Sequence, residues 1–189
     1  MKKLTVGFVM CGSFCTLSKA INQMEKLSET YNIIPIMSYN VYSMDTKFGK
    51  ASDFIKKTEE ICNKKIINTI PDAEPIGPKK LADIVLIAPC SGNTLAKLSH
   101  GITDTPALMA VKSHLRIKRP VVIALATNDA LGASAKNLGT LLNTQNIYFV
   151  PMSQDDFQNK PNSMVADFNL IPQTLEMALI GKQIQPIFK

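Results

Sequence analysis

The sequence predicts an α/β protein, a three-layer Rossmann- or flavodoxin-like sandwich with a parallel sheet, built as a single domain over residues 1–189. Three observations point there. Apolar runs rich in β-branched residues recur at 4–10, 84–88 and 120–126, the right length for buried strands. Segments with apolar residues at helical spacing separate them, and small polar residues cluster just after them. Runs that are apolar on both faces belong to a parallel sheet covered by helices on both sides. Right-handed crossovers then wind it in two directions. A chain of this length is one ordinary domain, able to bury about 70% of its unfolded surface.

The elements follow in order. Leu4 to Met10 reads as the first strand rather than a signal peptide, because Gly7, Gly12 and Ser13 break the apolar stretch and no small-residue cleavage site follows. Leu17, Ile21, Met24 and Leu27 mark a helix, and Ile33 to Met37 a short strand whose Pro35 belongs only at an edge or end. Residues 50–63 carry Phe54, Ile55, Ile61 and Cys62 on one helical side. Asn68 to Pro78 holds three prolines and is expected as loop. Ile84 to Ala88 is the third strand, ended by Pro89, and Thr94 to Leu98 opens the next helix. Helices at 106–115 and 134–142, strands at 120–126 and 147–150, and a last helix near 172–180 complete the pattern.

Composition narrows the function. The net charge is +6, yet only two basic residues are arginines, Arg116 and Arg119, and the lysines are scattered. No stacking-aromatic motif accompanies them, so the surplus reads as a solvated surface and no nucleic-acid partner is expected. No apolar run approaches the roughly 20 residues of a membrane span, so no membrane partner is expected and a cytoplasmic location is. Cys11, Cys15, Cys62 and Cys90 show no C-x-x-C spacing, and His100 and His114 are the only histidines. A metal site is therefore not expected, and the cysteines read as buried free thiols, Cys11 and Cys15 facing the core.

The functional signal lies in the turns after the strands. Gly12-Ser13, Ser38, Ser91-Gly92-Asn93-Thr94 and Thr127-Asn128 are all glycine, hydroxyl or amide residues, and a doubly wound fold places its ligand beyond these strand ends. Gly12-Ser13 opens a helix, where free N–H groups and the dipole favour an anion. It is neither a dinucleotide fingerprint nor a P-loop. Helix capping explains Ser13 or Ser91 taken singly. Two such turns at adjacent strand ends suit a shared phosphate monoester, such as that of FMN.

The segment Ala88-Pro-Cys-Ser-Gly-Asn-Thr-Leu-Ala-Lys-Leu98, followed by Gly101-Ile-Thr-Asp104, resembles the P-x-S-x-N-T segment of the flavin-binding decarboxylase superfamily. That superfamily includes phosphopantothenoylcysteine decarboxylase, lantibiotic cysteine decarboxylases and flavin prenyltransferases. Gly12-Ser13, Ser38 and Ala126-Thr-Asn128 fall in the same order, so the likeness covers roughly residues 4–150. The resemblance implies FMN as cofactor and a homo-oligomer, a trimer or dodecamer. The segments VGFVMCGSFCT, ADIVLIAPCSGNTLAKL and ALATNDALG resemble one branch in particular. In that branch the flavin-type chain is one subunit of an oxidoreductase, with NAD(P) expected on a partner subunit. The implied reaction oxidises a cyclic dihydro-dicarboxylate dianion to pyridine-2,6-dicarboxylate, in the mother cell of a spore-forming bacterium.

The departures from the superfamily pattern also matter. Decarboxylating members carry a histidine about eight residues before the Ala-Asp that opens the third strand. Here Glu74-Pro75-Ile76-Gly77 precedes Ala82-Asp83 without one. The P-x-M-N segment is replaced by Ala124-Leu-Ala-Thr-Asn128, which keeps only the Asn. An FMN-dependent decarboxylase or prenyltransferase, or a non-catalytic supporting subunit, remain alternatives. The resemblance assigns cofactor contact to Gly12, Ser13, Phe14, Ser38, Pro89, Ser91, Gly92, Asn93, Thr94, Ala126, Thr127 and Asn128. Ser13, Ser38, Ser91 and Thr94 are expected at the phosphate, with Gly12 and Gly92 allowing backbone approach. Ser38 has the weakest case, since a serine at a strand end is often a turn residue. Lys97 is expected to face solvent, and no residue stands out as a proton acceptor.

Overall fold

Strand pairing follows the apolar runs. In the computed structural model, which describes residues 3–189, five strands pair in parallel: β1 (Thr5–Met10), β2 (Asn32–Met37), β3 (Ile84–Cys90), β4 (Val121–Thr127) and β5 (Ile147–Phe149). Their order is β2-β1-β3-β4-β5, the flavodoxin-like arrangement. The winding reverses between β1 and β3, which opens a crevice at their carboxyl ends.

Side chains alternate along the strands and divide the interior into two cores. Val6, Phe8 and Met10 pack with Leu17, Ile21 and Met24 of α1 (Phe14–Thr30) and Leu175 of α8 (Ile171–Leu179). Val9, Val85, Ile87, Ile123 and Leu125 pack on the other face with Val111 of α6 (Pro106–Arg116) and Leu138 of α7 (Ala135–Leu142). Each fully buried aliphatic or aromatic side chain contributes about 1.5–3 kcal/mol, which makes these two layers the main support of the fold. Pro35 lies in β2, the end of the sheet, where its missing N–H interrupts no ladder on the outer side.

Three expectations need correction. The sheet is mostly but not wholly parallel, because β6 (Met152–Ser153) and β7 (Met164–Ala166) form an antiparallel hairpin that joins β4 at Ala126 and Thr127. Strands this short carry no readable period. Residues 68–78 are not mostly loop. Thr69 caps a helical turn, α4 (Ile70–Ala73), and a 3-10 turn (Glu74–Ile76) follows, with Pro71 and Pro75 in first-turn positions that need no N–H donor. Finally, β3 does not end at Pro89 but runs to Cys90, with a register shift after Ile87 that absorbs the missing donor. Two further helices, α2 (Tyr39–Ser43) and α3 (Ala51–Cys62), follow β2, and α5 (Gly92–Ser99) follows β3. Among the described residues no helix is long and apolar enough to cross a membrane.

Candidate functional site

The first three strand ends are tied together by main-chain bonds. Cys11 N–H donates to the Pro89 carbonyl at 3.3 Å, and Ser38 N–H donates to the Met10 carbonyl at 2.9 Å. The Cys11 thiol lies 3.2 Å from the same Pro89 carbonyl. Gly12, Ser38 and Ser91 are thereby brought to one end of the sheet.

The hydroxyls there are used differently. Ser91 caps α5: its Oγ accepts from Thr94 N–H at 3.3 Å and donates to Thr94 Oγ1 at 3.2 Å. Ser13 precedes α1 at φ +156°, a conformation that L side chains rarely adopt, and its side chain caps nothing. The Thr16 hydroxyl lies 3.0 Å from the Ser13 carbonyl and 3.2 Å from Ser13 Oγ and can donate to either. Ser38 stands before α2 without capping it, and its buried Oγ has no hydrogen-bond partner. A buried hydroxyl in that state costs about 1–3 kcal/mol.

Two adjoining cavities open at these strand ends and share Gly12, Ser13 and Ser91. The first, about 430 Å3, is lined further by Phe14, Ser38, Asn93 and Thr94. The second, about 510 Å3, is lined further by Gly92, Ala126, Thr127 and Asn128. Every expected site residue but Pro89 therefore borders the cleft. Pro89 is buried inside β3 and lines neither cavity. Its part in this structure is to hold Cys11 through its carbonyl. Gly92 has a packing reason as well, since a Cβ there would lie 2.6 Å from Thr127 Oγ1 and 2.9 Å from Asp129 Oδ1. Those atoms belong to a network in which the Thr127 and Ser134 hydroxyls both donate to Asp129, at 2.5 and 3.0 Å.

Sequence reasoning missed several lining residues. Lys97 does not simply face solvent: it lines the first cavity and pairs with Asp104 at 2.6 Å, because α5 and the loop after it bring the two together. Lys19, Asp155 and Lys160 line the second cavity, and nothing local in the sequence singles them out. Asp129 was legible only as a polar neighbour of Asn128. Of the cysteines, Cys11 and Cys90 are buried as expected, whereas Cys15 is exposed because the first turn of α1 projects it out of the core. Cys90 is held well above the usual thiol range by its hydrogen bond with Cys11 and by burial, so it remains protonated near neutral pH. Among the described residues no group of His, Cys, Asp or Glu could hold a metal ion.

A doubly wound sheet with a hydroxyl-lined cleft at the β1–β3 switch point defines a class that binds cofactors at its strand ends. The chain belongs to the Flavoprotein family, whose model matches residues 1–170. It is 45% identical over 188 residues to the B subunit of dipicolinate synthase from Bacillus subtilis (strain 168), covering 99% of this chain and 94% of that one. It also resembles the crystal structure of the dipicolinate synthase B subunit from Bacillus halodurans, at TM-score 0.91 and 42% identity, with 100% and 98% of the two chains covered. These likenesses place it in the branch of the family formed by the B subunits of dipicolinate synthase. The structure of an FMN-dependent cysteine decarboxylase shares the fold at TM-score 0.68 and 21% identity, with 94% and 96% covered.

Proposed function

We propose that this chain binds FMN in the cleft and serves as the flavin-type subunit of dipicolinate synthase, an oxidoreductase that converts dihydrodipicolinate to dipicolinate. The partner is the A subunit of dipicolinate synthase, which carries NAD(P), and the pair works in the cytoplasm of the mother cell during sporulation. The chain itself assembles as a homo-oligomer, a trimer or dodecamer.

The observation that carries the reading is Ser38. Its hydroxyl is buried and unpartnered, and the residue lines the first cavity together with Ser13, Ser91 and Thr94. A phosphate monoester would complete it, and the uncapped start of α1 adds N–H donors and a favourable dipole end. Gly12 leaves the turn open, since the nearest atom to a Cβ there would be Phe14 Cε2 at 3.8 Å. The residues present therefore fit the phosphate end of FMN. Bound FMN would supply an acceptor for two electrons, chemistry that no side chain provides. Ser13, Ser38, Ser91 and Thr94 would hold the phosphate, while Asn93 and Asn128 offer amide groups toward the ring or a substrate carboxylate.

The test has two stages. The absorbance spectrum of the purified protein, followed by FMN titration of the apo form, should show saturable binding at one flavin per chain. Dihydrodipicolinate oxidation is then assayed with the partner alone and with both subunits. Activity that needs this chain and its flavin supports the proposal. Full activity of the partner alone would reduce this chain to a supporting role, and absence of any flavin binding would leave the hydroxyl turns as helix caps.

A further inference from the structure

Charge is distributed unevenly around the cleft. Among the described residues the one cation lining the first cavity, Lys97, is neutralised by Asp104 at 2.6 Å. The second cavity carries Lys19 and Lys160 against a single carboxylate, Asp155, which lies 3.5 Å from Lys160. Among the described residues Lys19 makes no ion pair. We infer that the second cavity is a dicarboxylate-binding site in which Lys19 anchors one carboxylate and Lys160 assists, an inference that rests on the proposed function and deepens it.

The geometry gives Lys19 this part. Cys15 and Lys19 are one helical turn apart on α1, and both line the cavity. The β6–β7 hairpin carries Asp155 and Lys160 to the opposite wall by joining the carboxyl end of β4. Ala126 and Val165 supply apolar surface to that wall, suited to the face of a small ring. A volume of about 510 Å3 lies in the range of small-molecule sites. Among the described residues the lining has one more cation than anion, so a dianion enters the cavity with favourable charge. Lys160 is already half-engaged by Asp155, which leaves Lys19 as the stronger anchor. The adjoining cavity shares Lys19, Asp155 and Val165 and adds Lys26, Lys189 and Asp167, so its lining has the same charge surplus. It does not reach Gly12 or Ser91, and a ligand there would lie away from the turns that would hold the flavin.

The probes are pyridine-2,6-dicarboxylate and pyridine-2-carboxylate, titrated calorimetrically into the FMN-saturated full chain. The wild type should bind the dicarboxylate about tenfold more tightly than the monocarboxylate. Lys19→Gln should weaken the dicarboxylate about five- to tenfold and narrow that ratio, Lys160→Gln should do so less, and Lys19→Arg should restore binding. Raising the salt to about 0.5 M should shrink the difference, since Lys19 is exposed and its field is screened. FMN affinity, titrated separately, should be the same in all variants. Wild-type affinity in Lys19→Gln, or no dicarboxylate binding to the FMN-saturated wild type, would overturn the inference. Failure of FMN itself to bind would instead overturn the proposed function, and the same titration on the apo chain would still read the dependence on Lys19.

Discussion

Ser91, at the end of β3, spends its hydroxyl on its own helix, accepting from Thr94 N–H and donating to Thr94 Oγ1. Ser38, at the end of β2, leaves a hydroxyl buried with no partner. The two serines stand at equivalent points of the same sheet, each just before a helix, and line the same cavity. The β3 side of the cleft satisfies its serine within the protein, whereas the β2 side leaves one hydroxyl without a partner. A polar group left unsatisfied inside a folded protein is a more specific pointer to a ligand than one already serving as a cap.

That contrast can be stressed first through the scaffold beneath it. His114 is buried in α6, away from the cleft, and burial, with Arg119 assisting, lowers its pKa to about 4. The unfolded chain takes up this proton near the ordinary value of about 6.5, so the stability is fully present above that pH and is lost as pH falls toward 4. The unfolding free energy of the apo chain, read from urea titrations, should fall between pH 6.5 and 4 by up to about 3 kcal/mol, and His114→Gln should flatten the decline. Acid loss of FMN in this window would then report unfolding rather than a titrating cleft.

Next in size is the join between the two cavities. Gly92→Val places side-chain carbons where Thr127 Oγ1 and Asp129 Oδ1 stand 2.6 and 2.9 Å from the Cβ position. It should cost about 2 kcal/mol in urea unfolding and weaken FMN at the same time, because both halves of the cleft lose their common wall. The serines themselves should then respond with opposite signs. Ser91→Ala removes a cap and should destabilise the apo chain by about 1 kcal/mol. Ser38→Ala removes an orphan hydroxyl and should leave the apo chain unchanged or about 1 kcal/mol more stable, while weakening FMN roughly fivefold. Equal destabilisation by both substitutions would erase the contrast. The smallest effect belongs to Lys97→Met, which breaks a part-exposed pair with Asp104 and should change stability by about 0.5 kcal/mol, less at high salt.

Much of this architecture is local in origin and therefore legible in the sequence. The runs at 84–88 and 120–126 are too continuously apolar to lie anywhere but inside a covered sheet, and the spacing of Leu17, Ile21 and Met24 dictates the buried face of α1. Small residues after β1, β3 and β4 mark the cleft for the same reason, since a turn from strand to helix selects them by backbone geometry and capping. What the sequence could not reveal depends on groups that meet only after folding. The two-residue β6 and three-residue β7 have no period to read, yet their pairing with β4 carries Asp155 and Lys160 across to Lys19. Whether a strand-end serine is satisfied is likewise decided by its surroundings: Ser38, which has the weakest case along the chain, is the one whose hydroxyl is left without a partner, while Ser91 of the motif caps its own helix. Sequence by itself determined the layers and the polar rim, because propensity and periodicity act over a few residues. Tertiary structure alone decided which hydroxyl stayed unpaired and where positive charge gathered, because burial and electrostatic fields sum over neighbours distant in the chain.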